Sequence, residues 1–191
     1  MCLLDFFGTI TDPRQASGKR YELKYILLFC VFAVLSGATG YATMAHWMES
    51  KKNMLLELFG LKWKKTPGKT CIQELFVSLS KSDVEESFRK FSISLAQGSS
   101  SDSSSDYYQI AIDGKSLRGS FDNVEDTSAL NLISIFLTDR NLILAHLGVE
   151  NKESEIIGVR ELLEDQKLIN ELQNIGCKVI TMDALHCQKK H

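Results

Sequence analysis

Two acidic residues stand where a carboxylate is conspicuous. In "IAIDGKSLRGS" (110–120) an apolar run ends on Asp113, and Lys115 and Arg118 follow at once. In "KVITMDALHC" (178–187) another apolar run ends on Asp183. A charge at the tip of an otherwise buried strand costs solvation energy unless a counter-charge accompanies it. Two such carboxylates side by side repel each other, and a hard divalent cation between them relieves the repulsion. Oxygen donors of this kind suit Mg2+ or Mn2+. An ion so held activates a water or hydroxyl and stabilises charge on a phosphodiester, while Lys115 and Arg118 suit phosphate oxygens. A local alternative stays open: Asp-Gly after a strand is a common turn, with Gly114 supplying the positive φ.

The elements that would position these residues fall into two stretches. Residues 1–96 punctuate as helices. "ITDPRQ" reads as a turn before a helix over Leu23–Leu35, which "SGATG" stops. "YATMAHWMESKKNMLLELFG" carries one or two more, and "CIQELFVSL" has helical spacing at Ile72, Leu75, Phe76 and Leu79. In "SKSDVEESFRKFSISLAQ", Ser82 and Glu85 form a candidate capping box, and Val84, Phe88, Phe91 and Leu95 form a candidate core stripe.

"QGSSSDSSSD" (97–106) has nothing to bury and reads as a flexible linker. After it the period changes. "YYQIAID", "ALNLISIFLTD" and "NLILAHLGVE" are β-branched runs that suggest a three-stranded meander. "SEIIGVRELLEDQKLINEL" is helical, with Ser154 as a candidate N-cap, and "CKVITMDAL" reads as a central strand. The expected architecture is therefore α/β: an α-helical domain (1–96), then a partial ribonuclease-H-like β-β-β-α-β domain (107–191). In that order the first strand and the strand after the helix lie parallel and adjacent. Asp113 and Asp183 would then emerge together at their carboxyl ends, where open sheets collect ligands.

Bulk properties agree with a soluble globular chain of 191 residues, 44% hydrophobic and 24% charged. The net charge of −2 hides an asymmetry: residues 1–97 hold 13 Lys and Arg against 9 Asp and Glu, and residues 98–191 hold 9 against 15. The apolar stretch Tyr25–Ala38 falls short of the ~20 residues that cross a bilayer, so no membrane role is expected. Five cysteines without a CxxC pair suggest buried thiols in a reducing cytoplasm. His186, Cys187 and His191 lack the spacing of a zinc site.

"QIAIDGKSLRGS", "ENKESEI" and "VITMDALHCQK" resemble three successive blocks of the DDE transposases of the H-repeat-associated family. "DFFGTITDPRQ", with the apolar helix and "VLSGATGY" after it, resembles the helical domain that precedes the catalytic domain there. The resemblance implies that Asp113 and Asp183 are the first two catalytic acids and metal ligands. It further implies Mg2+ or Mn2+ as cofactor and transposon-end DNA as substrate. Self-association or pairing with a full-length transposase is the expected protein contact. A third acid, usually glutamate, lies farther downstream in the family, and no carboxylate occurs between Asp183 and His191. The chain therefore reads as a truncated, amino-terminal portion, expected to be inactive. Glu150, Glu153 and Glu155 precede the intervening helix, and they read as solvated or as caps of its positive end. "DQKLINELQNIGCK" departs from the family by looking longer than the usual connection. The alternative function is a non-catalytic DNA-binding or regulatory fragment, using the basic segments "KRYELK", "ESKK", "LKWKK" and "PGKT".

Overall fold

A computed structural model of the chain describes residues 2–98, 108–116, 131–149 and 152–182. The chain divides into two compact units, Met1–Ser87 and Phe88–His191.

The first unit is helical: α1 (Leu3–Phe7), α2 (Leu23–Leu35), α3 (Tyr41–Ser50), α4 (Lys52–Leu58), α5 (Lys69–Ser78) and the opening turns of α6 (Lys81–Gly98). A helix that is apolar on every side must be surrounded. Accordingly α2 buries Ile26, Leu27, Leu28, Phe29 and Cys30 against Met48 of α3, Leu55 of α4, and Ile72 and Leu75 of α5. Its 13 residues span about 20 Å at ~1.5 Å per residue, against ~30 Å of bilayer hydrocarbon. Among the described residues no helix is long and apolar enough to cross a membrane. The turn at "TDPRQ" is held by Asp12, whose Oδ1 accepts from the Arg14 backbone N–H at 3.1 Å. Its two oxygens also accept from the Arg14 guanidinium at 2.9 and 2.8 Å.

The cap of α6 differs from the sequence expectation. Ser80, not Ser82, precedes the helix, and its Oγ accepts from the Asp83 N–H at 3.2 Å. The buried positions also differ. Val84 and Leu95 of the expected stripe are exposed, while Ser87, Ser92, Ile93 and Ala96 are buried. Ser87 is buried because its hydroxyl donates to the Phe6 carbonyl at 2.7 Å, which offsets its desolvation.

The described elements of the second unit are the later turns of α6, then β1 (Tyr108–Ser116), β2 (Asn131–Leu137), β3 (Leu142–Val149), α7 (Lys152–Glu164), α8 (Gln166–Asn174) and β4 (Cys177–Met182). The sheet is mixed, in the order β3-β2-β1-β4. β1 pairs antiparallel with β2 and parallel with β4. One side of the sheet carries Ile110, Ile112, Ile133 and Ile135, all buried. Helix α7 lies against that side so closely that a Cβ on Gly158 would stand 2.8 Å from Ile133 and Val149 methyl carbons. The start of β1 is fixed by the turn after β2: Asp139 accepts from the Gln109 N–H at 3.0 Å, and Thr138 donates to the Gln109 carbonyl at 3.0 Å.

Three expectations change here. The single helix expected before the last strand is two, because Asp165 adopts an extended backbone and caps α8. Ser154 lies inside α7 rather than before it. Strand β4, expected in the centre, is an edge of the described sheet and leaves Val179, Ile180 and Met182 exposed. The unit division falls at Ser87/Phe88, and residues 99–106 of the Ser-rich stretch lie outside the described residues.

Candidate functional site

Asp113 lies in β1, on the side opposite Ile110 and Ile112, as the two-residue alternation of a strand requires. The turn alternative for Asp-Gly does not hold. Asp113 pairs with Ser134 of β2, Gly114 pairs with Ile133, and Gly114 is not among the residues of positive φ. Nor does Asp113 close the strand, which continues through Lys115 and Ser116. The parallel ladder to β4 is described as far as the pair Ile112 with Met182.

Lys115, two residues on and on the same side, places its Nζ 3.2 Å from Asp113 Oδ2. Both side chains are mostly exposed, 75% for Lys115 and 57% for Asp113. Such a pair contributes about 0–1 kcal/mol and exchanges readily for another counter-charge. The carboxylate is thus an accessible hard-oxygen donor, of the chemical kind that Mg2+ or Mn2+ prefers. Among the described residues, no group of three or more His, Cys, Asp or Glu side chains gathers to hold a metal. Asp183, Arg118, Glu150 and the His186–Cys187–His191 candidates lie outside the described residues. The backbone of Glu153 and Glu155 belongs to the first turn of α7, where exposed N–H groups favour acidic residues.

Sequence reasoning missed the neighbours that pairing supplies. Asp113 stands opposite Ser134, and Ser134 stands opposite His146 of β3, so the three occupy one row across the sheet. The His146 ring lies 5.2 Å from the Phe88 ring. No local pattern signals this row, because it depends on register between strands. The chain delivered to β4 is also well fixed. Asp165 Oδ1 accepts from the N–H groups of Lys167 and Leu168 at 2.9 and 3.2 Å, and its Oδ2 accepts from Arg89 Nη1 at 3.2 Å. After α8, Gly176 at φ 83° turns the chain into β4.

The amino-acid sequence that forms these two units matches known proteins. A family model described as DDE_Tnp_1-associated matches residues 4–92. Two proteins of Escherichia coli K12 that carry the name "H repeat-associated putative transposase", YhhI and YbfD, are 31% and 30% identical to the chain over 187 residues. Each match covers 98% of this chain, with 46% of YhhI and 68% of YbfD. The chain thus spans about half the length of the first of these curated relatives. No solved structure matches it. The class is a transposase-associated helical module joined to a mixed α/β unit. More particularly, the chain belongs to the H repeat-associated transposase family.

Proposed function

We propose that this chain is the part of a DNA-cutting and rejoining transposase that contributes two acids, Asp113 and Asp183, to a ribonuclease-H-like catalytic centre. One observation carries the proposal. The final described pair of the parallel ladder is Ile112 with Met182, and these residues immediately precede Asp113 and Asp183 in sequence. A ladder that brings the two preceding residues together supports a shared site for the two carboxylates.

The residues proposed to hold the cofactor are Asp113 and Asp183, and the ion is Mg2+ or Mn2+. Bound there, the ion would supply charge stabilisation for an in-line displacement at a phosphodiester. The chain's own contribution is a sheet in which β1 carries Asp113 and β4 runs to Met182, the residue before Asp183 in sequence. Lys115, now paired with Asp113, would turn to a phosphate oxygen once a cation neutralises the acid, and Arg118 takes the same role. The helical unit positions the DNA.

Within these 191 residues no carboxylate follows Asp183, so the purified stretch is expected to bind the ion but not to cut DNA. Titration with Mn2+ followed by electron paramagnetic resonance tests the site. Binding lost in both Asp113→Asn and Asp183→Asn supports the proposal, and binding unchanged in both refutes it. Mg2+-dependent nicking by the wild-type stretch, abolished by either substitution, would overturn the two-acid limit.

A further inference from the structure

We infer that the first unit carries a preformed cationic cleft for the phosphate backbone of duplex DNA, made by Arg20, Lys62, Lys64 and Lys65 around the Tyr21–Trp63 pair. The inference rests on the DNA-directed function proposed above and adds the surface that would grip the substrate.

The cleft has a volume of about 490 Å3, and every residue lining it is cationic or aromatic. Its form follows from one buried ring, Tyr21, and one half-buried ring, Trp63. Tyr21 is 7% exposed, and its hydroxyl donates to the Thr66 carbonyl at 3.3 Å. Trp63 meets Tyr21 edge-on at 4.8 Å, and its ring lies 5.8 Å from that of Phe29. Both rings are therefore anchored in the helical core. Each draws its segment inward and leaves its neighbours, Arg20 on one side and Lys62 and Lys64 on the other, exposed to solvent.

The loop is held from below as well. Lys52 Nζ donates to the Lys64 carbonyl at 2.7 Å, which adds a further ammonium beneath the lysine-rich turn. Arg14, fixed by Asp12, donates to the Tyr21 carbonyl at 2.7 Å and steadies the strand of chain that carries Arg20. Glu49 of α3 stays charged beside the cleft: the Thr66 hydroxyl, with Lys52 and Lys65 nearby, holds its carboxyl below the usual range, so it offsets part of the Lys65 charge. Four cations thus share one concave surface with no acid among its lining residues.

That arrangement fits phosphates rather than bases. Rings offered as stacking platforms for single strands must be free on one face, whereas Tyr21 is buried and Trp63 is half-buried against Tyr21 and Phe29. Duplex DNA instead presents about one charge per ~1.7 Å of axis and rewards clustered cations by counterion release.

The test uses the full chain, a fluorescein-labelled duplex of mixed sequence, EDTA and a salt series, read by fluorescence anisotropy. The triple variant Lys62→Ala/Lys64→Ala/Lys65→Ala is expected to lower the slope of log affinity against log salt by about three, and Arg20→Ala by about one more. Replacing Lys81 and Lys90, which lie outside the cleft, is expected to leave the slope in place. An unchanged slope in the triple variant, no duplex binding by wild type, or binding to phosphatidylserine vesicles in preference to duplex would overturn the inference. Circular dichroism confirms that the variants are folded. Because no divalent ion is present, Asp113→Asn is expected to bind like wild type. Failure of the metal site therefore leaves this surface standing, and failure of this surface leaves the metal site standing.

Discussion

Asp165 offers the sharpest test of how the second unit delivers its last described strand. It caps α8 through two backbone N–H groups, at 2.9 and 3.2 Å, and it holds Arg89 at 3.2 Å. Replacing it with alanine removes an N-cap, at a cost of about 1 kcal/mol. It also leaves Arg89, 15% exposed, with Glu171 at 3.6 Å as its remaining ion-pair partner. Among the described residues neither Arg89 Nε nor Glu171 Oε2 has a hydrogen-bond partner, so the loss falls on a group with few other contacts there. A weakened, partly solvated ion pair adds about another 1 kcal/mol. The sum, about 2 kcal/mol, is roughly thirtyfold in the folded-to-unfolded ratio. Asp165→Asn separates the two effects, because asparagine caps as well as aspartate but carries no charge for Arg89. It is expected to cost about half as much.

Urea denaturation followed by far-UV circular dichroism measures both variants, and amide exchange over 166–174 locates the change. Burial raises the Asp165 pKa, but the N–H groups of Leu168 and Lys167 and the Arg89 guanidinium outweigh it and hold the carboxyl below its usual range. A depressed folded-state pKa gives stability that is present above the unfolded value, ~3.9, and lost as pH falls through the lower folded one. Asp165→Asn is therefore expected to flatten the acid limb of the stability curve. Equal effects of Ala and Asn, or a loss under about 0.5 kcal/mol for Ala, would refute the reasoning.

Gly158→Ala sets about 1–3 kcal/mol of overpacking against Ile133 and Val149 against about 1 kcal/mol of helix propensity. A net loss near 1 kcal/mol is expected in thermal melts, and a gain would contradict the close approach of α7. Burial pushes the Cys30 thiol up to about 12, so maleimide at neutral pH is expected to spare it while labelling exposed Cys2. Peptide mapping by mass spectrometry reads the difference. If the β4 edge of the described sheet pairs with a second copy, Ile180→Lys at that exposed position increases the elution volume in size-exclusion chromatography, and an unchanged elution volume would exclude that edge as a dimer contact. Asp113→Thr is expected to stabilise the sheet by up to about 1 kcal/mol while abolishing Mn2+ binding, since threonine suits a strand and aspartate does not.

The elements themselves were legible in the sequence. The apolar run over Leu23–Leu35 is α2 as read, and the three β-branched runs are β1, β2 and β3. The parallel pairing of the first strand with the strand after the helices also follows from their order. What could not be read depended on partners distant in sequence. Ser87 looks like a solvent-facing serine until the Phe6 carbonyl, brought beside it by the fold, makes its burial tolerable. Asp165 looks like one more helix residue until its backbone turns and its carboxylate finds Lys167, Leu168 and Arg89. Asp-Gly looks like a turn until β2 supplies Ser134 and Ile133 as ladder partners.

That last case bears on the site. Aspartate, glycine and lysine are all depleted in strands, yet Asp113, Gly114 and Lys115 form three consecutive positions of β1. The ladder to β2 holds them there against their own preference. A sequence that breaks local rules in mid-strand and gains only an exposed ion pair in return recovers little stability from the arrangement. Such violations concentrate at functional sites. The inconsistency between composition and conformation at 113–115 is therefore itself an argument, separate from any likeness to other proteins, that this stretch of β1 is kept for chemistry rather than for folding.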